Sequence, residues 1–253
     1  AGTNPQGDIL GTFEVTLQRG QTYLITANSG SRVGADDLTG TRIKVKDDGN
    51  AGGNKCKKIA VFSGNQHGGG DNSQNRDTDY EFEQLFPTHL WGTNFMVAST
   101  IIDGPYAEYP DLVRIVAAKP CTELHLTGKF YVGTRNEVVN GTAPLVTDTV
   151  VTINQTGYYD VRLADKTDAV FIKSSQKVQV GLMPTRRKDD NDGSPSLITI
   201  APIEQYLNKI TFAAAKGPSL NAHFVLITSL TSICQKTKLN NIELSDANNL
   251  ANT

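Results

Sequence analysis

Apolar and polar residues alternate with a period of two in many short stretches of the chain. Residues 13–17, 113–116, 124–126 and 178–182 show this alternation, which is typical of strands with one buried face. Shorter apolar runs predict further strands over residues 23–27, 59–62, 150–153, 170–172 and 224–227. Turns rich in Gly, Asn and Asp separate these runs, and only residues 202–208 are compatible with a single helical turn. The pattern therefore predicts an all-β protein.

The sequence also repeats itself in order. Residues 16–17 and 23–25 resemble residues 152–153 and 159–161 at an offset of 136. Further matches are Ile43-Lys44 with Ile172-Lys173 at 129, residues 58–61 with 177–180 at 119, and Pro87, Trp91, Phe95 and Val97 with Pro202, Tyr206, Ile210 and Phe212 at 115. The offset between matching residues falls along the chain from 136 to 115. Two copies of one β unit produce such a fall if the second copy has shorter loops, because loops tolerate length changes better than paired strands do. Short β motifs also align by chance, but four matches in the same order favour duplication.

These matches predict two tandem, related β-sandwich-like units packed into one elongated body. The first unit is predicted over residues 1–135 and the second, shorter unit over residues 136–253. Residues 240–244 resemble residues 122–126, so a further unit is predicted to start near residues 240–253. In that case the chain is a piece of a longer protein.

Composition and charge argue against several classes of function. The chain has 253 residues and a net charge of −2, so its surface as a whole does not attract nucleic acid or an anionic membrane. Apolar runs such as Phe224–Ile227 are far shorter than the roughly 20 residues of a membrane helix. We therefore predict no nucleic-acid binding and no membrane insertion. The N-terminus lacks the features of a signal peptide, which fits a mature or excised segment, or a protein that never had one.

The residue types that could carry catalysis or bind metal are scattered. His67, His89, His125 and His223 show no metal-binding or catalytic spacing, and Cys56, Cys121 and Cys234 lack C-x-x-C spacing and leave the disulfide state open. A glycosidase needs only a pair of carboxylic acids for catalysis, so clusters of acids are candidate sites. The acids of this chain cluster at Asp36-Asp37, at Asp71, Asp77, Asp79 and Glu81, and at Asp189, Asp190 and Asp192. Most of these acids lie in Gly- and Asn-rich loops, so we interpret them as turn residues. A weak calcium loop at residues 190–193 is the alternative.

Three other features each have two interpretations. Trp91, the sole tryptophan, aligns with Tyr206 in the repeat, which favours packing over a place in a sugar- or peptide-binding groove. The basic run over residues 186–188 is followed by acids and is interpreted as a solvated loop, with an anion-binding patch as the alternative. Asn140 and Asn154 begin N-x-T triplets, which are glycosylated only if a eukaryotic secretory pathway made the chain.

Ordered blocks of the chain resemble the N-terminal domain of IgGFc-binding proteins. The blocks are residues 37–43, 58–65, 83–85 with Pro87, 91–92, 114–117, 193–198 and 202–206. The resemblance extends from about Phe13 to Ile227. It implies an extracellular module of adhesive, mucus-associated or bacterial cell-surface proteins, often within very long chains. The loop after residues 62–65 lacks the cysteines expected in animal members, which favours a bacterial surface adhesin.

Together these observations predict an extracellular, non-catalytic binding or adhesion module of a larger cell-surface or secreted adhesin. The expected partners are a protein or glycan on a surface and the neighbouring modules of the same long chain. We expect no catalytic residue, no metal site and no cofactor, and the sequence does not assign ligand-binding residues. One alternative is a carbohydrate-active hydrolase that uses loop carboxylates, with two carboxyl groups roughly 5–9.5 Å apart across a cleft. The other alternative is a purely structural spacer in a stalk.

Overall fold

A computed structural model of the chain describes residues 2–3, 9–10, 13–26, 37–46, 58–68, 79–101, 110–154, 157–184, 196–211, 225–228, 238–239 and 242–243. The described residues form strands, two 3-10 turns and one helix of five residues, so the prediction of an all-β protein is confirmed. Contacts between residues divide the chain into two compact units, Ala1–Lys57 and Lys58–Thr253.

In the first unit, the described residues form one short strand pair and two tight turns. Strands β1 (Gly2–Thr3) and β2 (Ile9–Leu10) pair antiparallel. The first turn is closed by the amide of Gln21, which donates to the carbonyl of Gln18 at 3.1 Å. Residues 13–17 and 23–26, for which the sequence predicts strands, flank this turn and lie outside any strand ladder formed by the described residues.

The second unit contains the main sheet. A separate hairpin, β3 (Phe62–Gly68) with β4 (Asp79–Gln84), precedes it. The main sheet consists of β5 (Gly92–Ala98), β6 (Asp111–Ala117), β7 (Thr122–Tyr131), β8 (Leu145–Ile153), β9 (Tyr158–Leu163), β10 (Ala169–Met183) and β11 (Ile198–Ile200). Helix α1 (Arg135–Val139) connects β7 to β8, and β12 (Lys238–Leu239) pairs with β13 (Ile242–Glu243).

Strand β10 organises the main sheet because its two halves have different neighbours. Residues 169–173 pair with β5 on one edge, and residues 169–174 pair with β7 on the other. Residues 178–183 then pair with β6, and residues 180–182 pair with β11. The pairing with β5 is irregular between Lys173 and Val178, where the strand changes its neighbours. Because β9 pairs with β6 and touches β7, the strands β10, β6, β9 and β7 form a closed ring.

The core lies on the inner face of this sheet and follows the alternation of the sequence. In β7, Leu124 and Leu126 are fully buried while the positions between them are exposed. The buried cluster comprises Phe95, Val97, Val113, Ile115, Ala117, Leu124, Leu126, Phe130, Ile153, Val161, Leu163, Val170, Ile172, Val178, Val180 and Leu182. Burying one such Leu, Ile or Val side chain stabilises the fold by about 1.5–3 kcal/mol.

Buried carboxylates hold the ends of the core strands. Asp111 is 1% exposed, and its Oδ2 accepts a hydrogen bond from the amide of Thr100 at 2.7 Å. Asp168 is equally buried, and its Oδ2 accepts from the amide of Ala164 at 2.8 Å. Oδ1 of Asp168 lies 2.7 Å from Nζ of Lys129, and this hydrogen bond raises the pKa of Lys129. Asp111 and Asp168 therefore each have polar partners, without which a buried carboxylate would be strongly destabilising.

Two segments predicted to be equivalent adopt the same local structure. Thr88–Leu90 and Ile203–Gln205 each form a 3-10 turn, preceded by Pro87 and Pro202 respectively. The two prolines have closely similar backbone angles, φ −65° and ψ 147° against φ −69° and ψ 154°. In each turn the third residue donates its amide to the proline carbonyl, at 2.8 and 2.9 Å. This agreement supports the predicted repeat.

The predicted boundary between residues 135 and 136 falls inside α1. The main sheet mixes strands from both sides of this boundary: β5 to β7 come from the predicted first unit, and β8 to β11 come from the second. For example, β9 lies between β6 and β7. The sandwich-like arrangement, the boundary and the duplication stay predictions.

The side chain of Glu204 closes the start of β5. Its Oε1 accepts hydrogen bonds from the amides of Thr93 and Asn94, at 3.0 and 3.1 Å. The hydroxyl of Thr93 and the amide group of Asn94 donate to the same oxygen, at 2.6 and 3.0 Å. Partial burial raises the pKa of Glu204, but the hydrogen bonds from Thr93 and Asn94 outweigh it and lower the pKa below its ordinary value. The carboxylate thus gives the amides of Thr93 and Asn94 a hydrogen-bond acceptor, as the carbonyls of a neighbouring strand would.

Replacing Gly128 tests the contact between β7 and β10. Gly128 has φ 138°, and a Cβ atom there would lie 2.2 Å from the carbonyl oxygen of Ala169. We expect Gly128→Ala to lower the free energy of unfolding by at least about 2 kcal/mol, because a strained backbone and a displaced strand both destabilise the fold. Gly181→Ala is the matched control, since its Cβ would meet Leu197 at an ordinary 3.5 Å. Urea denaturation measures both variants, and equal stabilities would contradict this account.

Replacing Glu204 tests its role through pH. Because its pKa is lowered by folding, the carboxylate contributes stability above its ordinary pKa and loses that contribution as the pH falls through the lowered value. At about pH 7 we expect Glu204→Gln to be less stable than the parent by about 1 kcal/mol, a low value for a charged hydrogen bond because the side chain is exposed. Urea denaturation should show the difference shrinking towards about pH 3. A difference independent of pH would mean that the charge does not contribute.

Candidate binding surface

The outer face of the β3–β4 hairpin carries two stacked rings, which we call the aromatic pair. The ring centroids of Phe62 and Phe82 are 5.4 Å apart, and the ring planes differ by 1°. Gly64 lies opposite Phe82 in the ladder and on the same face as Phe62, so one ring extends over a residue without a side chain. Phe62 is 51% exposed and Phe82 is 70% exposed. Exposed rings held in place by two strands are typical of a surface that contacts a partner.

The outer face of β6 and β9 carries a second group, the Arg114 cluster, which consists of Arg114, Tyr158 and Asp160. Nε and Nη2 of Arg114 donate to the two carboxylate oxygens of Asp160, both at 2.9 Å. The guanidinium carbon of Arg114 lies 3.9 Å from the ring centroid of Tyr158. Arg114 is directly opposite Asp160 in the ladder, and Tyr158 is its diagonal neighbour.

The contacts within the Arg114 cluster restrict the orientation of its side chains. The two-point ion pair holds the guanidinium in one orientation, and the ring of Tyr158 covers one face of it. On the inner face of the same strand, Val113 and Ile115 are fully buried, so the backbone beneath the cluster belongs to the core. Side chains whose freedom is already restricted lose less entropy when a partner contacts them.

Sequence reasoning did not single out either group. Phe62 ends a predicted strand and Arg114 lies inside one, but Phe82 and Tyr158 become relevant only through the neighbours that the ladder gives them. The sequence signal for the aromatic pair is weak: Phe62 follows Val61 directly, so it points away from the face that Ile59 and Val61 share.

Of the acids in the predicted clusters, the structure buries Glu81, and the other two buried acids, Asp111 and Asp168, lie outside those clusters. Asp111, Asp168 and Glu81 are buried, and burial raises the pKa of Glu81. Asp37 accepts a hydrogen bond from the amide of Thr39 at 2.9 Å, which is the turn role predicted for it. Asp79 begins β4. The remaining acids of the predicted clusters, Asp36, Asp71, Asp77, Asp189, Asp190 and Asp192, lie outside the described residues.

Trp91, His125 and Cys121, which the sequence offered as candidates, lie apart from both groups. The indole N–H of Trp91 donates to the carbonyl of Phe86 at 2.9 Å, and the side chain is partly buried outside the core cluster, so its packing role stays a prediction. His125 is exposed on β7, with Nε2 3.1 Å from Oδ1 of Asp148. Cys121 has an exposed, free thiol.

Several further candidates fall at element ends or outside the described residues. Asn140 directly follows α1, and Asn154 directly follows β8. Cys56, Cys234, His223 and residues 186–188 lie outside the described residues, as does the side chain of His67. Among the residues that the structure describes, no three His, Cys, Asp or Glu side chains are placed to hold a metal ion. No helix in the described part of the chain is long and apolar enough to cross a membrane.

Nearly the whole chain matches one protein family. The family model described as IgGFc binding protein matches residues 2–252, which include the aromatic pair and the Arg114 cluster. Searches of curated proteins and of solved structures found no match. The family match agrees with the resemblance seen in the sequence and extends it to both ends of the chain. This chain therefore belongs to the IgGFc binding protein family.

Proposed function

We propose that this chain is a non-catalytic binding module, exposed outside the cell as part of a larger cell-surface or secreted adhesin. Its membership of the IgGFc binding protein family over residues 2–252 carries the proposal. The family name refers to the Fc part of immunoglobulin G, which makes Fc one protein to test. A protein or glycan on a surface is the proposed partner, and neighbouring modules of the same long chain are proposed as further contacts.

The aromatic pair and the Arg114 cluster are the proposed contact points. Arg and Tyr are enriched among the residues that dominate binding energy at protein interfaces. Aromatic rings also stack on sugars and bury a large area for little loss of side-chain freedom. The 70% exposure of Phe82 and the 40% exposure of Tyr158 leave much of both rings available to a partner.

The contacts of four described acids fit a structural role better than hydrolysis. Asp111, Asp168 and Glu204 accept hydrogen bonds from backbone amides, and Asp160 pairs with Arg114. A general acid or base must be within hydrogen-bond reach of the substrate, and these carboxylates are already engaged by backbone amides and by Arg114. Such acids fit a structural role, and the two exposed clusters favour a binding module over a plain spacer.

A binding screen followed by substitution tests this proposal. The parent chain is screened on glycan and protein arrays that include the Fc fragment, with and without calcium. For the partner found, we expect Phe82→Ser and Tyr158→Ala each to weaken the affinity by about tenfold or more, because such anchors contribute roughly 2 kcal/mol. Calorimetric titration measures the affinity.

Leu145→Ala is the matched control for that experiment. Leu145 is also an exposed apolar residue, at 50%, but it lies outside both clusters, so its replacement should leave the affinity unchanged. Unchanged affinity in all three variants would place the binding surface elsewhere. If no partner binds on any array, the spacer becomes the better account.

Removing the loop acids tests the hydrolase alternative. The variant replaces Asp71, Asp77, Asp79, Asp189, Asp190 and Asp192 by Asn together. We expect it to keep the parent's circular dichroism spectrum, because Asn serves in turns as Asp does. Parent and variant should both fail to cleave polysaccharides and peptides in a product assay. Cleavage by the parent that the variant lacks would contradict the non-catalytic proposal, and loss of calcium-dependent binding alone would reveal a weak calcium site.

A further inference from the structure

We propose that the edge of β8 opposite β7, which we call the outer edge, pairs with β8 of a second copy of this chain. The two strands form an antiparallel ladder that joins residues 147–153 of both copies around a two-fold axis at Val150. The inference goes beyond the proposed function, because it concerns how one module associates with another and uses neither the aromatic pair nor the Arg114 cluster.

β8 is an end strand of the main sheet. Its ladder partner among the described residues is β7, which follows β9 in the order of strands. The other strands at edges of the sheet are short or closed, since β11 has three residues and Glu204 accepts the amides of Thr93 and Asn94 at the start of β5. β8 has nine residues. A long edge of this kind presents a row of amides and carbonyls with which another strand pairs.

The sequence of β8 favours pairing with another strand. All its residues except Leu145 and Asp148 are β-branched, the type that fits strands best. It contains neither Lys nor Pro, the residues that commonly protect an edge from a further strand. Its one charged residue is Asp148, whose Oδ1 already lies 3.1 Å from Nε2 of His125 on β7. β8 therefore lacks the features that usually keep an edge strand alone.

The backbone groups of Val150 and Thr152 point to the outer edge. The amide of Glu123 on β7 donates to the hydroxyl of Ser175 on β10 at 2.9 Å, so it points away from β8. Glu123 lies opposite Thr152, and the two members of an antiparallel pair point either towards each other or both outwards. The direction alternates along a strand, so Val150 points the same way as Thr152. These two residues offer the hydrogen bonds that a second strand needs.

A second copy of β8 fits this edge because the strand is complementary to itself. When Val150 lies opposite Val150 of the second copy, Asp148 lies opposite Thr152, whose hydroxyl can donate to the carboxylate. Registers that place Asp148 opposite Val150 or opposite itself set a charge against an apolar side chain or a like charge.

Pairing of two identical edges also closes on itself. Each contact occurs twice around the two-fold axis, so the assembly stops at a dimer. Pairing covers part of the side chain of Val150, which is 56% exposed, and so removes apolar surface from water. The net charge of −2 gives only a small repulsion between two copies of the chain. The observations thus favour a second copy as the occupant of the outer edge.

Charges at position 150 test the two-fold axis. Sedimentation equilibrium of the parent should show a dimer with a dissociation constant of roughly 10–1,000 μM, because one pair of strands buries a small area. Val150→Lys and Val150→Glu each place like charges opposite each other, so each variant alone should dimerise at least about tenfold more weakly. An equal mixture of the two variants should regain the dimer, because opposite charges then face each other.

Leu145→Lys is the matched control for these variants. Leu145 is 50% exposed on the same strand but lies outside the paired residues, so this variant should dimerise as the parent does. Circular dichroism checks that all variants keep the parent's fold. A parent that stays monomeric at about 1 mM would overturn the proposal. Dimerisation that ignores the charge at position 150, or a mixture no stronger than either variant alone, would also overturn it.

Hydrogen exchange of the full parent chain distinguishes pairing between copies from cover by the same chain. By NMR we expect the amides of Val150 and Thr152 to exchange at least about tenfold more slowly above the dissociation constant of the dimer than far below it, because the second copy accepts their hydrogen bonds. Slow exchange at every concentration would mean that the same chain covers the outer edge. Fast exchange at every concentration would mean that the edge stays open. Either result overturns the proposal.

Discussion

The long strand β10 lies at the centre of the sheet because other strands pair with both edges of each of its halves. Buried backbone amides and carbonyls are almost never left without partners, and β10 has fifteen residues. Its partners are shorter: β7 has ten residues, and β5 and β6 have seven each. Four strands therefore share its two edges, and the closed ring of β10, β6, β9 and β7 encloses the core.

Where strands start or end, carboxylates take over the backbone bonds that no strand supplies. Asp111 and Asp168 do this inside the core, and Glu204 does it at the start of β5. Lys129 balances the charge of Asp168 at 2.7 Å. These three acids are thus part of the architecture, because a carboxylate accepts several amide hydrogen bonds at once.

The same alternation that fills the core leaves the other face of a strand such as β6 towards solvent. On β6, Val113 and Ile115 point inward while Arg114 points outward towards Asp160 and Tyr158. The buried residues hold the backbone in place, and the ladder places the outer side chains beside one another. A β module with this division presents aromatic and cationic groups on its exposed face, in keeping with the proposed binding role.

The sequence by itself determined the class of the fold, much of the core and the family. Period-two alternation identified the strands around Val113, Leu124 and Val180, because a strand with one buried face must alternate. It predicted two strands over residues 170–172 and 178–182, whereas the structure has the single strand β10. The polar residues between them interrupt the apolar pattern but not the backbone ladder, which does not depend on side-chain polarity.

Only the tertiary structure decided which strands are neighbours, and therefore which side chains meet. Phe82 lies beside Phe62, Tyr158 beside Arg114, and Glu204 beside Thr93, 111 residues away in the chain. The local pattern shows which face a residue takes, but a shift of the partner strand by two residues keeps every face and changes every contact. Register is decided by packing across the whole sheet, so the candidate binding surface could not be read from the sequence alone.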